Sequence, residues 1–201
     1  MIKSIYKHVS RWKEYFKYNF SIRYNKMILM LNNVAFEKGI GIVGKMYVYN
    51  EGKICIGENF FMSGGTYNPL SNNRISSICV RLNAQLSIGK NCGFSSPTID
   101  VRQEVVIGNN VNLGANTVIL DSNCHSLNFL DRRNPTSDII NMKSEKIVIG
   151  NDVLVGTNSI ILKGVTLGDR VVVGANSVVT KSVPDDCIVA GNPARIIRWN
   201  N

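Results

Sequence analysis

The feature that most constrains this sequence is an aliphatic residue that recurs at every sixth position in its C-terminal half. These residues are Ile149, Val155, Ile161, Leu167, Val173 and Val179. An amphipathic helix needs an apolar residue every three or four positions, and a half-buried strand needs one at every second position. A period of six fits neither, but it suits a solenoid in which each flat face is one short strand. The period therefore predicts an all-β solenoid with three faces per coil and a triangular aliphatic core.

The same period occurs earlier in the chain and is interrupted once. Ile107, Leu113 and Ile119 keep it, and it resumes at Ile149 after a polar stretch. Regular coils flank this gap on both sides, so we expect residues 121–146 to form a loop that projects from a rigid frame. Such loops commonly carry function.

The segment before the repeats is basic and is predicted to be helical from about Lys3 to Asn32. Its basic residues, opposed there only by Glu14, are Lys3, Lys7, Arg11, Lys13, Lys17, Arg23 and Lys26. A basic helix with interleaved aromatic residues could make peripheral contact with an anionic membrane. It could equally pack on the open end of the solenoid. We divide the chain into a helical segment (1–38), the solenoid (39–190) and a C-terminal tail (191–201).

Composition restricts the class of protein further. The chain has 201 residues, of which 44% are hydrophobic and 18% charged, as in a folded soluble protein. No apolar run approaches a membrane span, and the first residues lack the apolar core of a signal peptide. Five scattered cysteines show no zinc or redox spacing, and we expect most to fill the core. The formal charge of +9 comes with no nucleic-acid motif. We therefore expect a cytoplasmic protein that binds neither metal nor nucleic acid.

His125 is the strongest candidate for chemistry. Only two histidines exist, and His8 falls in the basic N-terminal segment, whereas His125 opens the projecting loop. A lone histidine is usually structural, but this one lies where a rigid scaffold meets a long loop. Its ordinary pKa near neutrality suits a general base.

Two further stretches carry a resemblance to a known family. They are Asp121-Ser-Asn-Cys-His125-Ser-Leu and Val189-Ala-Gly-Asn-Pro-Ala-Arg195. Together with the repeats, they resemble the left-handed β-helix acyltransferases of the hexapeptide-repeat family, most of all the O-acetyltransferases of capsule and surface polysaccharides. The resemblance implies a left-handed parallel β-helix, an exception to the right-handed crossover rule. It also implies acetyl-CoA as acyl donor, a carbohydrate acceptor, and a homotrimer with the cofactor groove between subunits.

The resemblance also implies roles for individual residues. His125 matches the base that takes the proton from an acceptor hydroxyl, which attacks the thioester directly. Asp121 either orients His125 or is a surface carboxylate or a turn cap. The positions that match contacts to the pantetheine arm are Thr157, Ala175 and Thr180. The positions that match basic residues near the cofactor phosphates are Lys181, Arg195 and Arg198. Coil packing and a solvated basic tail are the respective alternatives.

The function implied is an acetyl-CoA-dependent O-acetyltransferase that modifies a sugar hydroxyl of a surface polysaccharide or its precursor, at the inner face of the membrane or free in the cytoplasm. One alternative is an N-acetyltransferase that acts on a nucleotide-linked amino sugar, and another is a non-catalytic trimeric binding module. A Cys124–His125 nucleophile pair is disfavoured, because adjacent residues in an extended segment point to opposite faces. A zinc hydratase needs three histidine ligands, and only His125 lies in the repeat region.

Overall fold

One long helix, α1 (Ile2–Leu31), precedes the repeats. The structure is a computed structural model that describes residues 2–199, with side chains from Tyr15 onward; the side chains of the basic residues from Lys3 to Lys13 lie outside the described part. One side of α1 packs on the first coil, where Leu29 is buried and Asn25 Nδ2 donates to the carbonyl oxygens of Ile42 (3.0 Å) and Gly44 (2.9 Å). This packing matches the second interpretation of the helix. Among the described residues, no helix is both long and apolar enough to cross a bilayer.

Short strands make up nearly all of the remaining regular structure. In chain order they are β1 (Ala35–Phe36), β2 (Gly41–Val43), β3 (Met46–Asn50), β4 (Lys53–Ile56), β5 (Phe61–Ser63), β6 (Ser76–Val80), β7 (Gln85–Ile88), β8 (Gly93–Ser95), β9 (Thr98–Val101), β10 (Glu104–Ile107), β11 (Asn112–Leu113), β12 (Val118–Leu120), β13 (Ile147–Ile149), β14 (Leu154–Val155), β15 (Ile160–Leu162), β16 (Thr166–Leu167), β17 (Val172–Val173), β18 (Val178–Val179), β19 (Cys187–Gly191) and β20 (Ala194–Trp199). Between strands lie three 3-10 turns and the short helix α2 (Pro135–Asn141). The 3-10 turns are Gly65–Tyr67, Pro69–Ser71 and Asp131–Arg133.

The strands stack into three sheets, one for each face of the coil. Face 1 contains β1, β4, β7, β10, β13 and β16; face 2 contains β2, β5, β8, β11, β14, β17, β19 and β20; face 3 contains β3, β6, β9, β12, β15 and β18. Up to β18, every third strand pairs in parallel, as the predicted solenoid requires. After that, β19 pairs in parallel with β17, and β20 turns back to pair antiparallel with β19. The coils therefore begin at β1, ahead of residue 39, and the segment from residue 191 continues face 2 as a strand.

The residues of the six-residue period form the core. On face 1, Ile107 pairs with Ile149 and Ile149 with Leu167, and all three are buried. The other two faces repeat this stacking, so each aliphatic side chain lies directly above another. The expectation that most cysteines fill this core is wrong, because only Cys92 and Cys187 of the five are buried. The alternation of the strands directs Cys55 and Cys79 outward, and Cys124 lies in the loop.

Asparagine side chains form a ladder along the corner between faces 1 and 2. Asn59, Asn91 and Asn110 all have positive φ, which asparagine tolerates better than most residues. Nδ2 of each donates to the side-chain oxygen of the residue one coil further on: Asn59 to Asn91 (3.1 Å), Asn91 to Asn110 (3.2 Å) and Asn110 to Asp152 (2.9 Å). The tight corners thus come with a repeated polar contact that holds the coils in register.

Candidate functional site

Asp121 fixes the point at which the loop leaves the frame, directly after β12. It is 0% exposed, and its carboxylate accepts three backbone N–H groups from the coil below. Oδ1 accepts from Arg102 (2.8 Å), and Oδ2 accepts from Gln103 (2.7 Å) and Glu104 (2.9 Å). Burial raises the pKa of Asp121, and the three N–H donors oppose that rise. Asp121 therefore clamps the root of the loop to the frame.

His125 is paired with Asp138 of helix α2. Its Nδ1 lies 2.6 Å from Asp138 Oδ2, while Asp138 Oδ1 accepts the Ser126 N–H at 2.7 Å. The hydrogen bond with His125, followed by that with Ser126, lowers the pKa of Asp138, so this group is a carboxylate at neutral pH. Because a carboxylate can only accept, Nδ1 carries the proton of neutral His125. The lone pair is then on Nε2, and the side chain, 68% exposed, can offer it to an acceptor.

The structure corrects the prediction that Asp121 orients His125. Both carboxylate oxygens of Asp121 are taken by N–H groups of the coil below, so the capping alternative describes its place. The carboxylate beside His125 is Asp138, which sequence reasoning missed. Asn134 followed by Pro135 is a helix-start signal that could have placed Asp138 in a first turn. No spacing rule connects a residue thirteen positions away with His125.

A second set of hydrogen bonds holds the loop that carries His125. Asp131 accepts from the hydroxyls of Ser126 (2.7 Å) and Ser137 (3.1 Å), and Arg132 Nη1 donates to the Ser126 carbonyl oxygen (2.7 Å). The ends of the loop are also joined, since the Glu145 N–H donates to the Asp121 carbonyl oxygen at 2.8 Å. The loop is therefore an internally bonded unit, and this suits a side chain that must be pre-positioned.

The residues matched to the pantetheine arm lie on two corners of the coil. Thr157 and Ala175 are stacked at the corner between faces 2 and 3, where the Asn176 N–H donates to the Thr157 carbonyl oxygen at 2.9 Å. Thr180, with Lys181 beside it, lies at the corner between faces 3 and 1. The structure therefore places these positions on opposite edges of face 3 within one subunit.

The residues matched to the phosphates are exposed and basic, and two of them share a cavity. Lys181 and Arg195 line a cavity of about 250 Å³ together with Val183, Val189 and Ile196. Arg195 and Arg198 both belong to β20, which turns back along face 2. The C-terminal strand thus places the basic side chain of Arg195 beside Lys181 at the last corner of the coil.

The sequence also raised a Cys124–His125 nucleophile pair and a zinc site, and the described geometry favours neither. Cys124 has φ 59°, and its Sγ lies 3.7 Å from Ser122 Oγ, whereas the imidazole of His125 is paired with Asp138. Within residues 2–199, no three His, Cys, Asp or Glu side chains are grouped to hold a metal ion.

Comparison with known families identifies the repeat. The profile described as the hexapeptide repeat of succinyl-transferase matches residues 104–122 and 146–181. The match stops where the loop leaves the frame and resumes where the coils restart. A comparison with curated protein sequences gives no match.

Solved structures identify the fold. The hexapeptide-repeat acetyltransferase VCA0836 from Vibrio cholerae is 24% identical, with a TM-score of 0.59 over 100% of this chain and 93% of that chain. A variant of the N-acyltransferase AntD from Bacillus cereus, in complex with dTDP and coenzyme A, is 21% identical, with a TM-score of 0.68 over 88% of each chain. The polySia-specific acetyltransferase NeuO is 22% identical, with a TM-score of 0.56 over 83% of this chain and 87% of that chain. The predicted left-handed β-helix with hexapeptide repeats is confirmed.

Proposed function

We propose that the chain is an acetyl-CoA-dependent acetyltransferase that acts on a sugar hydroxyl, with His125 as general base. The observation that carries this proposal is the His125–Asp138 pair at the head of a loop that interrupts hexapeptide coils. The pair supplies a base with a fixed tautomer, and the coils supply the frame on which acyltransferases of this fold are built. The acceptor we propose is a surface polysaccharide or its precursor.

The chemistry is a direct transfer. Nε2 of His125 takes the proton of the acceptor hydroxyl while the hydroxyl oxygen bonds to the acetyl carbonyl carbon. The tetrahedral intermediate collapses, the carbon–sulfur bond breaks, and the departing thiolate takes the proton from Nε2. Products are the acetyl ester and coenzyme A, and His125 is again neutral. Asp138 stabilises the imidazolium that exists between the two proton transfers.

The loop carries apolar side chains that a single copy leaves in water. They are Leu127, Phe129, Leu130, Ile139 and Ile140, each more than half exposed. A cluster of this kind is typical of an interface. We propose that a neighbouring copy in a homotrimer covers this side of the loop, so that His125 works at a boundary between subunits. Exclusion of water from His125, which is open in one copy, then comes from the partner.

The same assembly accounts for the separation of the cofactor positions. Thr157 and Ala175 lie on one edge of face 3, and Thr180 and Lys181 lie on the other. We propose that the first pair of one subunit faces the second pair of its neighbour, with the pantetheine arm between them. Arg195 and Arg198, with Lys181, then bind the cofactor phosphates, since cationic donors suit phosphate oxygens.

Two measurements test the proposal. Acetyl-CoA at a hundred times its dissociation constant should stabilise the fold by about 2.7 kcal/mol, as a rise in the thermal midpoint. Mass spectrometry of products from matched hydroxyl and amino sugars should show acetyl esters. If only amides form, and only from the amino sugars, the N-acetyltransferase alternative holds, with His125 as the same base. Absence of both stabilisation and products would overturn the enzyme and leave the binding-module alternative.

A further inference from the structure

Helix α1 has two unlike sides, and the solenoid covers only one of them. Asn25 and Leu29, one turn apart, are buried against the first coil. On the opposite side the large apolar residues stay in water; they are Phe20 (71% exposed), Tyr24, Met27, Met30 and Leu31 (70% exposed). Steps of three and four positions place all five on one face of a helix. A surface helix normally turns polar residues to solvent, so this apolar face indicates a contact that one copy of the chain lacks.

The charged residues along this part of α1 are all cations. From residue 15 to residue 36 the sequence contains three basic residues and no acidic one, and residues 1–14 add four basic residues against one acidic. Arg23 follows Phe20 by three positions, and Lys26 precedes Met30 by four. Residues at these separations are neighbours on a helix surface, so positive charges adjoin the apolar face.

A cavity beside the apolar face is also bordered by cations. It has a volume of about 570 Å³ and lies between α1 and the first corner that joins faces 2 and 3. The helix contributes Lys17, Phe20 and Tyr24 to its lining, and the coil contributes Lys45 and Tyr67. No Asp or Glu side chain of the described residues lines it. Because Phe20 and Tyr24 belong to both the cavity and the apolar face, the two form one surface, in which aromatic rings lie beside ammonium groups.

The charge of this surface favours an anionic partner over a second copy of the chain. Two copies that paired through it would bring Arg23 and Lys26 of one against the same cations of the other. The acidic Glu51 lies at the C-terminal end of α1, where Asn50 Nδ2 donates to the Asn32 carbonyl oxygen at 2.8 Å, and it does not line the cavity. The apolar side of the projecting loop, which we assign to the trimer, is a separate surface, because the loop leaves face 3 three strands beyond β3.

We propose that the outer side of α1 docks on an anionic lipid surface. Phe20, Met27 and Leu31 enter the headgroup region, while the cations of α1 and Lys45 of the coil contact lipid phosphates. A helix that lies in the interface plane combines an apolar face with basic residues in this way. The two interpretations of the helix then hold together, because packing on the solenoid and docking on lipid use opposite sides. Docking concerns where the enzyme works and not the acetyl transfer itself.

Vesicle sedimentation with the full chain tests this directly. The probes are vesicles of phosphatidylcholine and vesicles of an equal mixture of phosphatidylcholine and phosphatidylglycerol. We expect the chain to bind the mixed vesicles at least about tenfold more tightly, because each cation near an anionic surface contributes about fivefold and α1 carries several. High salt should remove most of this difference.

Variants separate docking from a structural role. The double variant Phe20→Gln/Leu31→Gln should lower vesicle binding about a hundredfold, because burial of each apolar side chain is worth about tenfold. Glutamine suits a helix and both positions are exposed, so the thermal midpoint should not change. Lys45→Gln should lower the affinity for mixed vesicles alone, by about fivefold. The matched control is Leu154→Gln, at a half-exposed leucine four strands beyond β2 on face 2, which should change nothing.

Equal binding to the two kinds of vesicle, or none to either, would overturn the inference, and so would binding that survives in Phe20→Gln/Leu31→Gln. If the chain ignores vesicles but associates with itself, and the double variant abolishes that association, the apolar face pairs two copies and the proposal is wrong. Failure of the proposed function is visible separately, because the vesicle experiment contains neither acetyl-CoA nor sugar. Acetyl transfer to a soluble sugar should be unchanged in every variant.

Discussion

The two ends of face 3 share one kind of buried inward residue but differ in their outward residues. In the polar half (β3, β6 and β9) the outward residues are Tyr47, Tyr49, Ser77, Cys79, Thr98 and Asp100. In the aliphatic half (β12, β15 and β18) they are Val118, Leu120, Ile160, Leu162 and Val178. Ile78 and Ile99 are buried in the first, and Ile119 and Ile161 are buried at equivalent positions in the second. The core therefore imposes the same requirement on every coil, whereas the outward side chains are free to differ. Function on this solenoid therefore has to be sought in residues outside the six-residue period. The loop with His125 leaves directly after β12, the first strand of the aliphatic half.

The largest effect is expected for His125, at the start of the loop that leaves the aliphatic half. His125→Ala should lower the rate of acetyl transfer by about 10²- to 10⁴-fold, the usual contribution of a general base. Acetyl-CoA binding, measured by the shift in thermal midpoint, should stay intact because Lys181 and Arg195 are unchanged. Cys124→Ser is the matched control and should keep its activity. Turnover close to normal in His125→Ala, or its loss in Cys124→Ser, would contradict the mechanism.

The next effect concerns the aliphatic half and the proposed trimer. If Leu162 packs against a neighbouring copy, Leu162→Asp would bury an unpaired charge at a cost of about 3 kcal/mol. That is about a hundredfold in the association constant, enough to shift the mass seen by sedimentation towards the monomer. Ser77→Asp, on the outward side of the polar half, is the comparison and should leave the mass unchanged. If Ser77→Asp lowers the mass and Leu162→Asp does not, the interface lies on the polar half and the proposal is contradicted.

A smaller effect is expected for the partner of His125. Asp138→Asn keeps the size of the side chain but removes the charge that orients the imidazole, and about a tenfold to hundredfold loss in kcat is expected from misplacement. The KM for acetyl-CoA should not change. An unchanged kcat would show that the contact only holds the loop together.

The Asp138 contact also gives a dependence of stability on pH. Its hydrogen bond with His125 lowers the folded-state pKa of Asp138 below its ordinary value. The stabilisation is therefore fully present above the unfolded-state pKa, near 4, and is lost as pH falls through the lowered folded-state pKa. Urea unfolding of the wild type and Asp138→Asn between neutral pH and pH 3 measures this, and the difference between the two should shrink only at the acid end.

The smallest effect is expected for Asp121, at the root of the loop. Asp121→Ala would leave three buried N–H groups without an acceptor, partly offset by loss of a buried charge. We expect the free energy of unfolding to fall by about 2 kcal/mol. Asp152→Ala, at an exposed corner, is the comparison and should cost less. If both variants lose the same free energy of unfolding, Asp121 stabilises the fold no more than a carboxylate at an ordinary corner of the coil.

Much of the frame could be predicted from the sequence, because Ile149, Ile161 and Val173 repeat at a period that few folds accept. The place of the loop followed from the interruption of that period, and His125 from its position at the start of the loop. For Asp121 the resemblance leaves two interpretations open, orientation of His125 or a surface or turn-capping carboxylate. The first does not hold, because the carboxylate points back to the coil below, where three N–H groups need an acceptor.

The sequence by itself thus determined the β-helix, its triangular core and the loop that interrupts it, since these depend on periodic burial that each coil satisfies with its neighbours. Only the tertiary structure decided which side chains meet across the loop and the coils. Asp138 reaches His125 because helix α2 turns back over the start of the loop, and Arg81 meets Asp100 because successive coils stack in register. Contacts of this kind depend on how the chain returns through space, and a local pattern does not contain that information.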